Sequence, residues 1–349
     1  MILFKGALLK YMNIFSEQNI REHSDRICDL FGFSAIEDVK FLHEGYKAHN
    51  LIIRADGQRY FLKVYRRLGH VVQQIKHAEQ FFSDQYVPVI RSMKDKYGRE
   101  AFCLDREWCS LFPYVEDAIV LSSGDLTDLH IIKLGHLTAR VHAIGAYGPA
   151  SQFDHIYFWQ HRYFHWEYEE LMDVFRTKPS LNEMDRLVRD TLQEKQKLVA
   201  SLKTETADLP STHPVIIHGD LIYQNVFWNP DGEITHVFDF EKTCVAPRAY
   251  EFARSLMINC FDDTWDDAAF RRATIFLNAY REEIDFSFEE FLSGIRLYWA
   301  NVVHMTWLEA KYTFGREAEP SKIYVHHANR IHNMHEDPEV FCLRIYTER

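Results

Sequence analysis

The amino-terminal third of the chain carries short runs that are apolar or alternate between apolar and polar residues, as β-strands do. Three such runs cover residues 39–42, 50–54 and 59–65. Asp56-Gly57 stands between the last two and is a hairpin signal, because glycine adopts positive φ at little cost. A further stretch, 101–115, predicts two more short strands. The pattern therefore predicts three antiparallel strands followed by two others.

Apolar residues at helical spacing surround these strands. Residues 16–30 predict an amphipathic helix that ends at Gly32, and an apolar repeat over 71–82 predicts a helix between the third and fourth strands. Beyond Asp125 the chain is predicted to be mostly helical. Two short strands are predicted in this helical part, at 215–217 and 235–238. This order predicts an α+β fold with two lobes rather than an alternating βαβ sheet.

The composition is that of an ordinary globular protein. Of the 349 residues, 47% are hydrophobic and 26% are charged, which excludes the disordered and fibrous classes. At ~150 residues per unit, this length predicts about two domains. The 40 basic and 51 acidic residues give a net charge of −11, so no nucleic-acid partner is expected and a cationic or neutral small partner fits better.

The cysteines and the apolar segments bear on location. Six cysteines lie without any C-x-x-C spacing, which argues against a zinc ribbon or a disulfide scaffold and indicates thiols in a reducing compartment. Lys5 and Lys10 interrupt the apolar opening segment and no small-residue cleavage site follows, so a signal peptide is not expected. No apolar run approaches the ~20 residues that a membrane helix needs. We therefore expect a cytoplasmic protein with no membrane partner.

One segment carries the most chemical information. An acidic residue, Asp220, follows a predicted strand, and an amide, Asn225, stands five residues later. A second carboxylate, Asp239, follows a predicted hairpin. Metal-assisted phosphoryl transfer needs an acceptor for the proton of the attacking hydroxyl and hard oxygen ligands for Mg²⁺. These three side chains are of the right types to supply both.

This segment resembles the catalytic core of the aminoglycoside phosphotransferase family, also called the phosphotransferase enzyme family, whose fold is protein-kinase-like. Members carry His-Gly-Asp, four residues and Asn, and end the following hairpin in Asp-Phe or Asp-Trp and an acid. Both features stand here, at 218–225 and 239–241. The resemblance implies that Asp220 is the catalytic base, that Asn225 and Asp239 hold Mg²⁺, and that ATP is the phosphoryl donor. It also implies that His218 is a structural member of the loop.

Two further segments of the helical half extend the resemblance, which spans roughly residues 36–257. Residues 134–142 are similar to the family's helix that ends in Leu-Ala-x-Leu-His and supports the catalytic loop. Residues 247–253 resemble its segment with Tyr-Asp-Leu-Ala at the centre, although Glu251 replaces the aspartate.

The amino-terminal half resembles the nucleotide site of kinases. Tyr60-Phe61-Leu62-Lys63 stands where kinases carry Val-Ala-Ile-Lys, which implies that Lys63 contacts the α and β phosphates. Glu79 lies beside the apolar stripe of its predicted helix and is the expected partner of Lys63. The expected contacts to adenine lie in a hinge at about 111–116. The expected cofactor-binding residues of this hinge are Phe112, Tyr114 and Val115.

The resemblance implies how the chain divides into lobes. A small amino-terminal lobe, 1–115, is expected to hold an antiparallel sheet and one helix. The larger and mostly helical lobe, 117–349, is expected to hold the catalytic loop. Residues 44–50 contain one glycine rather than G-x-G-x-x-G, and we interpret them either as a cover over the phosphates or as a surface hairpin.

The predicted activity is ATP- and Mg²⁺-dependent transfer of the γ-phosphoryl group to a hydroxyl of a small molecule. Aminoglycosides, amino alcohols, homoserine and sugars all remain open as acceptors. The absence of Walker A, G-x-S-x-G and dinucleotide motifs removes P-loop kinases, α/β hydrolases and Rossmann dehydrogenases. A protein Ser/Thr kinase is the first alternative, although no activation segment ending in Ala-Pro-Glu is present. A non-catalytic nucleotide-binding module is the second.

Two other clusters have competing interpretations. Residues 158–166 are interpreted as a helix packed into the larger lobe, with an aromatic wall over a substrate as the alternative. Four histidines near the carboxyl terminus are interpreted as surface residues, with zinc ligation as the alternative. They are His326, His327, His332 and His335.

Overall fold

The computed structural model describes the chain in eight segments, which cover residues 17–42, 48–65, 67–158, 160–202, 213–261, 264–315, 322–334 and 337–346. The contacts of the backbone divide it into two compact units. The first unit consists of the described residues up to Ile119 together with Val226–Thr243. The second unit consists of the described residues of Val120–Asn225 and from Cys244 onward.

The first unit is built on a five-stranded antiparallel sheet in the order β1-β2-β3-β5-β4. Its strands are β1 (Ile36–Leu42), β2 (Ala48–Ala55), β3 (Gln58–Tyr65), β4 (Phe102–Leu104) and β5 (Glu107–Pro113). Ala55 pairs with Gln58 across the predicted hairpin turn, where Asp56 and Gly57 have φ of 50° and 75°. Both angles lie in the left-handed region that this tight turn requires. The strand pattern predicted from the sequence is therefore confirmed.

Helices precede and cross this sheet. They are α1 (Glu17–Glu22), α2 (Ser24–Phe31) and α3 (Gly69–Asp84). The single helix predicted over 16–30 is broken at His23, and α2 ends as expected at Gly32, with φ of 73°. Apolar residues of α1 and α2 join alternate residues of the strands in one buried core. They include Ile20, Ile27, Leu30, Leu51, Ile53, Leu62, Val64 and Leu111.

A small hairpin completes the first unit. Its strands are β7 (Val226–Trp228) and β8 (Ile234–Val237), which pair with one another. Backbone bridges join Val89 to Val237 and Ile119 to Trp228. The sequence pattern missed β7 because three residues are too few to show a periodicity.

The second unit is mostly helical. Its helices are α4 (Asp128–Gly145), α5 (His161–Thr177), α6 (Glu183–Ser201), α7 (Arg248–Phe261), α8 (Asp267–Glu283), α9 (Phe288–His304), α10 (Trp307–Gly315), α11 (Lys322–Asn333) and α12 (Pro338–Ile345). A two-stranded sheet pairs β6 (Pro214–Ile217) with β9 (Cys244–Pro247), a strand that the sequence pattern also missed. No helix of the described residues is long and apolar enough to cross a membrane.

Two glycines allow close packing in the second unit. A Cβ atom on Gly145 would lie 2.0 Å from the carbonyl oxygen of Ile216, so α4 approaches β6 as closely as backbones can. A Cβ atom on Gly294 would lie 2.3 Å from the carbonyl oxygen of Ala249, which brings α9 against the start of α7. Strand β6 and helix α7 are thereby fixed by their neighbours.

Candidate active site

Lys63 lies on the central strand β3 of the first unit. It pairs with Asn50 of β2 and Ser110 of β5, so its backbone position is set on both sides. The ammonium nitrogen lies 2.8 Å from Oδ1 of Asp239 and 2.8 Å from Oε1 of Glu241. Burial opposes the charged form, but these two carboxylates raise the pKa of Lys63 above its ordinary value. Lys63 is therefore held as a cation.

A short turn after β8 positions these two carboxylates. Asp239 has a φ of 67°, a left-handed conformation that aspartate tolerates better than most residues, and it leads into one turn of 3₁₀-helix over Phe240–Lys242. Phe240 is buried, with its ring 5.8 Å from that of Phe82 on α3. The apolar anchor fixes the turn while the side chain of Asp239 stays 37% exposed. A buried aromatic residue thus supports an accessible carboxylate.

The expected ion pair between Lys63 and Glu79 is wrong. Both carboxylate oxygens of Glu79 accept hydrogen bonds of 2.8 Å from Lys76, which lies one turn earlier on α3. Both residues are buried, so each needs the other as its counter-charge. Burial raises the pKa of Glu79 and lowers that of Lys76. Glu241, rather than Glu79, is the glutamate that pairs with Lys63. The sequence signal for this residue was its position as the acid that follows Asp239-Phe240.

The residues expected to contact adenine lie at the end of β5. Phe112 pairs with Phe61 of β3, and its ring lies 4.6 Å from the Lys76 ammonium. Tyr114 follows the strand and stacks under the Arg59 guanidinium, which lies 4.3 Å from the ring centroid. Val115 is half-buried. Their contact with a nucleotide stays a prediction, as do the hinge at about 111–116 and the lobe boundaries. Most of the single-glycine segment 44–50 lies outside the described residues.

In the second unit, helix α7 runs alongside the loop that follows β6. Polar residues at helical spacing on α7 each hold the next part of this loop. Glu251 accepts hydrogen bonds from the N–H groups of His218, at 3.0 Å, and Gly219. Ser255 donates to the carbonyl of Leu221 at 2.7 Å. Asn259 accepts from the N–H of Tyr223 at 2.8 Å.

Glu251 also joins the loop to α4. His142 Nε2 donates to the Glu251 carboxylate at 3.0 Å, and its Nδ1 accepts from the Tyr280 hydroxyl at 2.9 Å. Burial alone would raise the pKa of Glu251, but the bond from His142 and the backbone N–H groups lower it below its ordinary value. The carboxylate is therefore charged, and a buried charge with this many donors fixes the loop.

The loop brings Asp220 and Asn225 together. Asn225 Nδ2 donates to the carbonyl oxygen of Asp220 at 2.8 Å, which closes the loop on itself. The side chain of Asp220 accepts from Arg254 of α7, whose Nε lies 3.1 Å from Oδ1 and whose Nη2 bonds the same oxygen. Sequence reasoning missed Arg254. Its position, three residues after Glu251 on a helix beside the loop, was the available signal.

The donor types fit a magnesium ion shared with a nucleotide. Mg²⁺ is held in proteins by one or two carboxylates together with substrate phosphates and water, rather than by an all-protein cage. Among the described residues, no group of three or more His, Cys, Asp and Glu side chains is placed to hold a metal ion. The Asn225 amide nitrogen is used in the loop, so its oxygen is the atom that remains for a cation. In the first unit, Asp239 presents an accessible carboxylate of the type that Mg²⁺ prefers.

Comparison with solved structures gives the class of the fold. A spectinomycin phosphotransferase in complex with ADP and spectinomycin matches over 93% of this chain and 97% of its own, with a TM-score of 0.62 and 12% identity. An amicoumacin kinase in complex with AMP-PNP, Ca²⁺ and Ami matches over 95% of this chain and 96% of its own, with a TM-score of 0.63 and 14% identity. A microcompartment-associated aminopropanol kinase matches over 93% of this chain and 94% of its own, with a TM-score of 0.56 and 14% identity. The fold is that of the kinase-like phosphotransferases.

The family model of the phosphotransferase enzyme family matches residues 38–286. This is more than half of the chain, and the protein therefore belongs to this family, as the sequence motifs predicted. No curated protein sequence matches the chain. The predicted α+β, kinase-like fold is confirmed.

Proposed function

We propose that this protein is an ATP- and Mg²⁺-dependent phosphotransferase that moves the γ-phosphoryl group of ATP to a hydroxyl of a small molecule. The observation that carries the proposal is the pairing of Lys63 with Asp239 and Glu241, at 2.8 Å each. Lys63 and Asp239 lie 176 positions apart, and the resemblance implies a role at the phosphates or at their metal ion for each of them. Their meeting supports a common role at phosphate groups.

In this proposal each of the candidate residues has a distinct role. Lys63 binds the α and β phosphates, with Glu241 rather than Glu79 orienting its ammonium. Asp239 and Asn225 hold Mg²⁺, which when bound neutralises the charge on the phosphate oxygens. Phe112, Tyr114 and Val115 contact the adenine.

Asp220 acts on the acceptor. Its carboxylate accepts a hydrogen bond from the hydroxyl, orients the oxygen towards the γ-phosphorus and takes the proton as the new P–O bond forms and the bond to ADP breaks. The transition state of phosphoryl transfer is loose, so positioning and charge stabilisation carry most of the acceleration. The anchoring of this loop by α7 suits that role, since it fixes Asp220 before the substrate arrives.

The acceptor class follows from the family in general terms. The solved structures that resemble this chain include kinases named for spectinomycin, amicoumacin and aminopropanol, all small molecules that carry hydroxyl groups. We propose that the acceptor here is likewise a small hydroxyl compound, among aminoglycosides, amino alcohols, homoserine and sugars.

A screen of hydroxyl compounds with Mg-ATP, read as ADP release, tests this function. At least one compound is expected to give turnover well above the rate with ATP alone. Asp220→Asn and Asp239→Asn should each lose about a hundredfold or more in kcat, the second at least as much as the first. Turnover like that of the wild type in both variants would contradict the assigned roles.

A further inference from the structure

The backbone of Asp220 is held on both sides. Its N–H donates to Nδ1 of His218 at 3.2 Å, and its carbonyl oxygen accepts from Asn225 Nδ2 at 2.8 Å. These bonds fix where the residue lies but not how its carboxylate is turned, because the terminal torsion of an aspartate side chain is broad and roughly two-fold. The direction of the two carboxylate oxygens therefore depends on what the side chain itself contacts.

Arg254 of α7 makes such a contact. Its Nε, at 3.1 Å, and its Nη2 both donate to Oδ1 of Asp220. The two side chains are 19% and 12% exposed, so the pair is largely shielded from water that would compete for these bonds. A guanidinium is planar and carries its donors in a fixed fork. Two bonds from this fork to one oxygen restrict the rotation of the carboxylate.

The charge of Arg254 also offsets the cost of burying Asp220. A buried carboxylate is destabilised unless a counter-charge lies against it. The dependence is mutual. Burial opposes the charged form of Arg254, but the nearby carboxylate of Asp220 raises the pKa of the guanidinium above its ordinary value. Arg254 is therefore a permanent cation at this position.

Arg254 lies on the face of α7 that meets the loop after β6. It follows Glu251 by three positions and precedes Ser255 by one, and both of these residues bond the backbone of the loop. Glu251 and Ser255 hold the main chain of this segment, whereas Arg254 holds a side chain. One rigid helix thus sets both the position of Asp220 and the direction of its carboxylate.

We propose that Arg254 is a positioning residue of the phosphoryl-transfer reaction, which holds Oδ1 of Asp220 and so directs Oδ2 towards the hydroxyl of the acceptor. This inference rests on the function proposed above and deepens it. Arg254 itself contacts no substrate. As the new P–O bond forms and the bond to ADP breaks, the hydroxyl proton passes to Oδ2 while Arg254 keeps the carboxylate in place.

The kinetic constants of Arg254→Gln test this role. They are measured with Mg-ATP and the hydroxyl compound that gives the highest turnover in the screen. The kcat should fall by about 30- to 100-fold, since a small misplacement of reacting groups slows a reaction strongly. KM for ATP and KM for the acceptor should each change by less than about threefold, because Arg254 binds neither substrate. A loss that lies mainly in either KM would show that Arg254 binds that substrate, and would overturn the proposal.

Arg248→Gln is the matched control on the same helix. Arg248 donates to both carboxylate oxygens of Glu290, at 2.7 and 2.8 Å, and this pair is similarly buried, at 16% and 8% exposed. The change removes a comparable ion pair six positions before Arg254, so kcat should stay within about threefold of the wild type even where the melting temperature falls. A kcat loss in Arg254→Gln no larger than that in Arg248→Gln would overturn the proposal.

Arg254→Lys decides the question if Arg254→Gln does not fold. Lysine keeps the positive charge, but its compact ammonium lacks the planar fork. We expect unchanged KM values and a kcat about tenfold below the wild type, which is a partial rescue relative to Arg254→Gln. A wild-type kcat in Arg254→Lys would contradict the role of the fork. Arg271→Gln, at an exposed arginine that pairs with Asp128, should leave all three constants unchanged.

The wild-type protein distinguishes this inference from the function on which it rests. If the wild type is active and the Arg254 variants keep its kcat, the role of Arg254 is wrong and the proposed function stands. If the wild type gives no turnover with any compound and Mg-ATP does not raise its melting temperature, the proposed function is contradicted, and this inference with it.

Discussion

Lys63 illustrates how the surroundings of a single buried residue keep its side chain charged. An isolated buried ammonium loses hydration that nothing replaces, and its pKa falls. Here two carboxylates lie 2.8 Å from the same nitrogen, and their negative charges raise the pKa of Lys63 above its ordinary value. Glu241 is the more buried of the two, with a second contact to Arg67 at 3.6 Å. We infer that Glu241 fixes the ammonium and that Asp239 is the carboxylate available to a cation.

Glu241→Gln tests this division of roles. Loss of the charge leaves Lys63 less well oriented, and we expect KM for ATP to rise by about three- to tenfold with a smaller fall in kcat. Initial rates against ATP concentration measure this. Glu233→Gln, at an exposed glutamate of the same hairpin, should leave both constants unchanged. A KM for ATP equal to that of the wild type in Glu241→Gln would count against the role of this residue.

At the residue scale, the sequence identified candidate residues that contact one another in the structure, but not all of their partners. The motifs indicate Lys63, Asp220, Asn225 and Asp239, and in the structure Lys63 contacts Asp239 and Asn225 contacts Asp220. Glu79 was paired with the wrong lysine, because the choice between two lysines depends on packing that no periodicity reveals.

At the scale of elements, α7 is the part of the second unit that fixes the proposed catalytic loop. Glu251, Ser255 and Asn259 lie four residues apart, so they share one face of the helix and meet successive parts of the loop. The helix is otherwise almost entirely buried. Buried polar side chains cost free energy unless they form hydrogen bonds. Here each of the three side chains bonds to the backbone of the loop, so the loop is held at successive points.

Glu251→Gln is predicted to loosen the loop. The amide cannot replace a charged acceptor for three donors, so we expect a loss of about 2–4 kcal/mol in the free energy of unfolding. Chemical denaturation measures it. The kcat should also fall, because Asp220 is less precisely placed. Glu183→Gln, at an exposed glutamate in the first turn of α6, should change stability by less than about 0.5 kcal/mol. Equal stability of the two variants would contradict this account of the loop.

The elements themselves were predictable where they are long. The five strands of the first sheet and the helical part beyond Asp125 were read from periodicity. The strands β7 and β9 were missed, since three or four residues carry no clear pattern and are recognised only by their partners. The helix over 16–30 contains a break at His23 that its amphipathic pattern concealed.

At the scale of the whole molecule, stability depends on a buried charge cluster far along the chain from the motifs. Lys195 donates to Glu309 at 2.5 Å and to the carbonyl of Met305 at 2.6 Å, and His327 lies 3.3 Å from the same glutamate. The interpretation of His327 as a surface residue is wrong, because it is 2% exposed. Burial, together with the charge of Lys195, lowers the pKa of His327 to about 4.

This cluster predicts how stability depends on pH. The ordinary pKa of histidine is about 6.5, so below that pH the unfolded chain binds a proton at His327 that the folded chain rejects until about pH 4. Stability is therefore complete above pH 6.5 and falls as the pH is lowered towards 4, by about 2 kcal/mol at pH 5. Denaturation at pH 7 and pH 5 measures the difference. His327→Gln should lose less between the two, while His332→Gln, at an exposed histidine, should behave as the wild type. If His327→Gln lost as much stability between pH 7 and pH 5 as the wild type, the loss could not come from protonation of His327.

The division into units shows what a linear pattern leaves out. Residues 226–243 fall in the first unit, where Val237 bridges to Val89 and Trp228 to Ile119. Such pairings join positions more than a hundred residues apart, and composition along the chain gives no sign of them. The fold class was nevertheless predictable, because it depends on the order of strands and helices rather than on these contacts.

The transfer of labelled phosphate from ATP tests the central claim most directly. Protein is incubated with Mg²⁺, the hydroxyl compounds and ATP that is labelled at the γ-phosphate. The label is then measured in three fractions: small molecules, protein and inorganic phosphate. We predict label in a small hydroxyl compound, with about a hundredfold less in Asp220→Asn and an unchanged amount in Arg271→Gln. Label that accumulates on protein instead, or an Asp220→Asn variant as active as the wild type, would contradict the account.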